Sequence, residues 1–317
     1  MNNKKKYRIL CEQESSISIF NQAWWLDIVC NEGDWDVCLV EKNGKIIASM
    51  PFYIKKRYFF TLITQPPLTQ YLGVWFRSTA VNYYKELSKQ KYLMSELIAQ
   101  LPSYSYFSQN WSYHQTNWLP FYWKGFSQTT AYTYVIEDLS DLESVWAGLQ
   151  GKIRREIKKA KNRFNLKIKT ELPVKSFIDL NKLTFFRQNK SAPYSENLIE
   201  KIFSTASKKK QAKILIAQDE TGRNHAGVLI IWDENSCYYL MGGGDPELRN
   251  SGASSLCLWE AIKYSSTRTN KFNFEGSMVE PIEIFFRGFG SIQKPYSSLS
   301  HIPSKFLEAT LLLKSKL

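Results

Sequence analysis

The feature that most restricts the fold is a series of local signals that occurs twice in the same order. Residues 35–40 and 46–52 are apolar, β-favouring runs on either side of Lys42-Asn43-Gly44-Lys45, and Asn-Gly between two such runs specifies a tight hairpin. Residues 214–217 and 227–232 repeat the arrangement around Asp219-Glu220-Thr221-Gly222, with a third strand over 237–241. Each hairpin leads to a Pro/Gly-containing loop and then a helical stretch, which ends near Gln100 in one half and Ser265 in the other. A short aromatic strand follows (104–107; 272–274), then a tag: Phe121-Tyr122-Trp123-Lys124-Gly125-Phe126 or Phe285-Phe286-Arg287-Gly288-Phe289-Gly290. The order implies internal duplication of a mixed α/β unit of roughly 130 residues, too long a period for a solenoid. The expected fold class is therefore α/β with mixed sheets, in two tandem domains divided as 1–145 and 146–317.

The 317 residues are 44% apolar and 15% aromatic, which provides for sizeable cores and excludes a largely disordered chain. Five cysteines, odd in number and with no Cys-x-x-Cys pair, argue against a disulfide scaffold or a zinc ribbon and fit a reducing compartment. The opening basic cluster precedes no apolar run, and the richest apolar stretch, 58–76, is broken by Gln65-Pro66-Pro67. Neither an export signal nor a membrane span is expected, and the chain reads as cytoplasmic. A loose electrostatic association with the anionic inner leaflet is compatible with its charge.

That charge is formally +13, and it is localised. Residues 1–150 carry 14 basic and 13 acidic side chains, residues 216–317 carry 10 and 11, and residues 151–215 carry 18 and 5. Within the central segment, Ile153, Ile157, Ala160 and Phe164 form one apolar helical stripe. Lys152, Arg154, Arg155, Lys158, Lys159, Lys161 and Arg163 occupy the rest of that helix, with Glu156 the one acid among them. So many cations repel one another at helical spacing, so the face is expected to meet a polyanion. Arg154, Arg155 and Lys158 are the expected contacts to substrate phosphates. Two more helices are expected over 174–189 and 195–209.

Two stretches carry candidate chemistry. Asp245-Pro246-Glu247-Leu248-Arg249-Asn250-Ser251-Gly252-Ala253-Ser254 follows a strand and opens a helix, where backbone N–H groups and the helix dipole suit a phosphate. Period-2 alternation on Lys271-Phe272-Asn273-Phe274-Glu275 puts Asn273 and Glu275 on one face. A carboxylate ending such a strand can bind or deprotonate an amine. His114, His225 and His301 are dispersed and read as surface or packing residues, and no metal site, P-loop or nucleophile elbow occurs.

The spacing Arg-x-x-Gly-x-Ser at 249–254 resembles the pyrophosphate loop of Gcn5-related N-acetyltransferases (GNAT). The motifs WWLDIV, KIIASMPFYIKK, PPLTQYLGV, GKIRREIKKAKN, FNFEGSM and FFRGFG, together covering residues 20 to about 300, resemble a FemAB-like protein of that superfamily. The resemblance implies two tandem acetyltransferase-like domains, with the donor and acceptor cleft in the second. It implies donor contacts from Arg249, Ser251, Gly252, Ala253 and Ser254, and catalytic roles for Glu275, Asn273 and Arg287, the last as the basic residue of the tag. Tyr296 is a conceivable general acid. Ser254 departs from the small Gly or Ala of the acetyl-CoA loop, and the helical-arm insertion of some tRNA-using cell-wall enzymes is missing. In the first half, PPLTQYLG lacks the Arg-x-x-Gly spacing, so that domain reads as a silent copy.

The activity implied is an N-acyltransferase moving an acyl or aminoacyl group to an amine on a cell-envelope or glycan precursor, either lipid-linked or nucleotide-linked. No tightly bound cofactor is expected. The co-substrate is acyl-CoA, favoured by Arg249 and Gly252, or aminoacyl-tRNA, favoured by the size of the charge excess; DNA is not an expected partner. The alternative from another class is a catalytically silent RNA- or membrane-associated module of the same fold.

Overall fold

The computed structural model describes residues 1–78, 82–186, 189–276 and 278–304; Ser277 of the FNFEGSM motif lies outside them. The chain forms two compact units, Met1–Ala131 with Pro295–Leu317, and Tyr132–Lys294. The expected division at residue 145 thus becomes two crossings, after 131 and after 294. The cause is where two strands pair. Strand Ser127–Ile136 pairs its end with the short strand Phe272–Asn273. Strand Ile292–His301 pairs its end, Ser298 to His301, with Asn110 to Phe107. Each strand follows one repeat's aromatic tag, and it completes the sheet of the other repeat.

In the first unit, Asp34–Lys42 and Lys45–Arg57 form the expected antiparallel hairpin, turning at Asn43 and Gly44, both with positive φ. Phe60–Thr64 pairs antiparallel with the second of these strands and parallel with Tyr106–Asn110. Helix Tyr83–Ala99 buries Leu93, Met94 and Leu97 in a core with Met50, Phe52, Ile63, Phe107, Trp111, Phe121, Phe126 and Leu299. Asn82 caps that helix, its Oδ1 accepting from Lys85 N at 3.0 Å.

In the second unit, Ala212–Gln218, Asn224–Trp232 and Cys237–Gly244 form an antiparallel meander. Lys167–Lys169 lies at one edge, and Phe272–Asn273 pairs in parallel on the other side. Helices Val174–Phe186 and Glu196–Lys208 agree with the sequence pattern, and Ser195 Oγ caps the latter. The basic helix is Gly151–Asn162, with Ile153, Ile157 and Ala160 buried against helix Ala253–Ser265 in one core with Phe272, Phe274, Phe286 and Phe289. Its apolar stripe is the one read from the sequence. All five cysteines are free thiols, and burial pushes Cys237 and Cys257 up to about 12, which leaves them inert packing groups.

This division of the basic helix into a packed stripe and a solvated face is measurable. Ile157→Ala removes a fully buried side chain and lowers the unfolding free energy by about 2–4 kcal/mol. Lys158→Ala, one residue away and exposed, changes it by less than ~0.5 kcal/mol in the same denaturant titration.

Candidate functional site

The site begins where a strand loses its neighbour. Strand Phe272–Asn273 pairs with Cys237–Gly244 at only two positions, Cys237↔Phe272 and Tyr238↔Asn273. It ends because Glu275 and Gly276 both turn into the left-handed region, at φ 57° and 60°. Asn273 holds that turn: its Oδ1 accepts from Glu275 N at 2.9 Å and from Thr133 Oγ1 at 2.6 Å. A Cβ at Gly276 would lie 2.1 Å from Tyr132 O, so only glycine fits. Beyond Tyr238 the longer strand carries a register shift between Tyr239 and Met241 against Asn224–Trp232, then the three glycines Gly242, Gly243 and Gly244. There side chains meet its backbone instead. Asn181 Nδ2 donates to Gly242 O at 2.8 Å, and Gly244 N donates to Thr184 Oγ1 at 3.3 Å.

The strand then runs into the predicted phosphate loop. Arg249–Ser251 is a short 3-10 turn, and Gly252, at φ 79°, starts helix Ala253–Ser265; glycine has no side chain to cap it, and the Ser251 hydroxyl accepts from Ala253 N at 3.4 Å. A Cβ on Gly252 would lie 2.3 Å from Glu156 O on the basic helix, so this glycine is required by backbone conformation and by packing together. A cavity of about 220 Å³ opens here, lined by Thr184, the three glycines, Arg249, Ala253, Ser254 and Phe285. It also takes in His225 and Tyr239.

Sequence reasoning missed those last two. The Tyr239 hydroxyl has no hydrogen-bond partner among the described residues, and burial raises its pKa. His225 Nε2 faces Asp219 Oδ2 at 3.1 Å, while its buried Nδ1 has no partner. Asp219 is held well below the carboxylate range, chiefly by the Thr221 hydroxyl. The pattern Asp-x5-His was visible in the sequence, but nothing marked it as facing a cavity.

The predicted residues fall into separate places. Arg249, Ala253 and Ser254 line the cavity, and Ser251 and Gly252 are buried in the loop beneath them. Asn273 is buried, its carbonyl oxygen committed to the Glu275 turn. Glu275 does not line the cavity; its Oε1 is buried without a partner, and burial, with Asp233 nearby, raises its pKa well above 4.5. Arg287 ends helix Glu280–Arg287 and pairs with Glu283 at 2.7 Å, and Tyr134 donates to the same carboxylate. On the basic helix, Arg154 is half-buried and donates to Ala147 O at 2.9 Å, whereas Arg155 and Lys158 are exposed. Tyr296 lies on the part of its strand that joins the first unit.

Residues 148–271, from the basic helix to the strand that ends early, match the family model of the acetyltransferase (GNAT) domain. No curated protein matches the sequence. Among solved structures, FemX superposes with a TM-score of 0.69 at 12% identity, covering 93% of this chain and 95% of its own. The chain has the GNAT fold, and residues 148–271 are its matched acetyltransferase domain. L-PGS from Bacillus licheniformis (TM-score 0.56, 13% identity, 99% and 96% covered) is similar to this chain along its whole length. So is a tandem GNAT protein from the clavulanic acid biosynthesis pathway (0.54, 8%, 95% and 94%). The duplication read from the sequence is thus a tandem GNAT architecture. Among the described residues no group of His, Cys, Asp or Glu could hold a metal ion, and no helix is long and apolar enough to cross a membrane.

Two outcomes test this geometry. Gly252→Ala places a side chain at positive φ against a backbone carbonyl, and should cost at least about 1–2 kcal/mol of stability by denaturant titration. Glu275 binds its proton more tightly folded than unfolded, so the stability this confers is complete below pH 4.5 and lost as pH rises through the raised value. Glu275→Gln should therefore flatten the decline of stability between acidic and alkaline pH.

Proposed function

We propose that the second unit is an N-acyltransferase that binds acyl-CoA and passes its acyl group to an amine of a cell-envelope or glycan precursor. The observation that carries this is the continuity of a strand edge that has lost its neighbouring strand with a helix start that opens on the same cavity beside Arg249. An extended, amide-bearing arm can lie beside Tyr239 and the glycine run where the neighbouring strand has stopped, displacing or joining the Asn181 and Thr184 side chains that hold Gly242 O and Gly244 N. The phosphates at its end then meet the backbone N–H groups after Gly252 and the Arg249 guanidinium. The first unit offers no such end, because Asn82 already caps its corresponding helix.

The reaction needs a neutral amine, an acceptor for its proton, and donors for the oxyanion. In this reading the strand's freed N–H groups face the carbonyl that becomes the oxyanion. The Tyr239 hydroxyl, kept protonated by burial, returns a proton to the departing thiolate. Glu275, outside the cavity lining and with its pKa raised by burial, takes the amine proton only through intervening water. Asn273 sets the Glu275 backbone, and Arg287 acts through Glu283 and Tyr134.

A second reading has its own observation. The exposed Arg155 and Lys158 share a helix with Glu156, whose carbonyl touches Gly252, so a larger phosphate-rich donor such as aminoacyl-tRNA has cations beside the same loop. Calorimetric titration separates the two. Acyl-CoA binding should weaken about tenfold in Arg249→Ala and change little with salt. A tRNA donor should lose affinity steeply between about 50 and 200 mM salt, and further in Arg155→Ala/Lys158→Ala. Absence of binding by both donors would leave the silent-module reading standing.

A further inference from the structure

Strand Lys45–Arg57 of the first unit ends in two turns of opposite character. At its start the turn is Asn43-Gly44, the low-cost pair for positive φ. At its end Arg57 pairs with Phe60, so the turn is Tyr58-Phe59, and Tyr58 adopts φ 55°. A bulky aromatic at positive φ is costly where Gly or Asn would be free of strain.

What that cost maintains is an aromatic tip in water. Tyr58 is 84% exposed and Phe59 91%, and Phe60 joins them, its ring centroid 5.7 Å from that of Phe59. These rings pack on one another rather than on a core. Lys55, Lys56 and Arg57 precede them on the same strand. No carboxylate pairs with these three cations among the described residues. None is close in sequence either: residues 42–85 hold seven Lys or Arg and no Asp or Glu.

From this juxtaposition we infer that the Tyr58-Phe59-Phe60 turn is a membrane-docking tip, inserting its rings among the headgroups of an anionic bilayer while Lys55, Lys56 and Arg57 hold the lipid phosphates. Aromatic rings favour that boundary, and cations on an adjoining strand favour its negative surface potential. The charge selects an anionic surface over a zwitterionic one. The rings distinguish this from the basic helix of the second unit, which has cations but no exposed aromatic cluster. The inference is independent of the donor assigned to the second unit.

Co-sedimentation of the full chain with phosphatidylcholine vesicles, with and without about 30 mol% phosphatidylglycerol, tests it. Binding is expected only with phosphatidylglycerol. Tyr58→Asn/Phe59→Ser should reduce it at least tenfold without lowering the thermal midpoint, because both residues lie outside the core and Asn relieves the positive φ at 58. Lys55→Gln/Lys56→Gln/Arg57→Gln should reduce it about fivefold per cation, equivalent to ~1 kcal/mol each. No binding of the unaltered chain overturns the inference. So does binding that the cation variant weakens but the aromatic variant does not, since charge alone then accounts for it. Loss of a self-associated form in the aromatic variant, without vesicle binding, overturns it in favour of contact between copies of the chain.

Discussion

Everything at the candidate site depends on one strand stopping after two paired residues. Two consecutive left-handed residues cost conformational energy, and one of them is a glutamate rather than a glycine. The Asn273 carbonyl oxygen offsets this by holding Glu275 N and Thr133 Oγ1 at once. Were the strand to continue, its neighbour's edge would be covered where helix Val174–Phe186 now closes on the glycine run, Asn181 and Thr184 bonding Gly242 and Gly244. The same turn carries the Glu275 carboxyl out of water, so one backbone event both opens the edge and perturbs the acid.

Comparison of the two units shows how a duplicated frame acquires one site. Both keep the hairpin, the long helix, the short aromatic strand and the tag whose last phenylalanine, Phe126 or Phe289, is buried. They differ where the helix begins. In the first unit the Asn82 side chain accepts from Lys85 N; in the second Gly252 has no side chain to do so, and the Ser251 hydroxyl accepts from Ala253 N instead. Capping and anion binding draw on the same donors, so the two helix starts differ in what a ligand could reach.

Much of this was legible in the sequence because it is written locally. Asn43-Gly44 gives a hairpin from backbone preference alone, and the basic helix gives its buried face from the spacing of Ile153, Ile157 and Ala160. The Arg249-to-Ser254 loop was found because a strand, a glycine and a helix start follow one another along the chain. What escaped depends on folding in three dimensions. Strand alternation placed Asn273 and Glu275 together, but the left-handed turn takes Glu275 out of that pattern, and the asparagine serves the turn. Arg287 pairs with Glu283 one helical turn back, a local pairing that the sequence alone allowed. Tyr239 and His225 carry no motif, and only the register of three strands and the approach of helix Val174–Phe186 bring them to the cavity.

The exchange of strands between the repeats also sets an order on the making of the molecule. The sheet of the first unit needs Ser298 to His301, and the second unit is complete at Lys294. During synthesis the half that emerges first from the ribosome therefore cannot close its sheet until the other half is finished. The usual sequence, in which the N-terminal portion folds before the rest arrives, therefore leaves that portion one strand short. Until then the edge of strand Tyr106–Asn110 that receives that segment waits unpaired, a nascent-chain surface for a chaperone to shield.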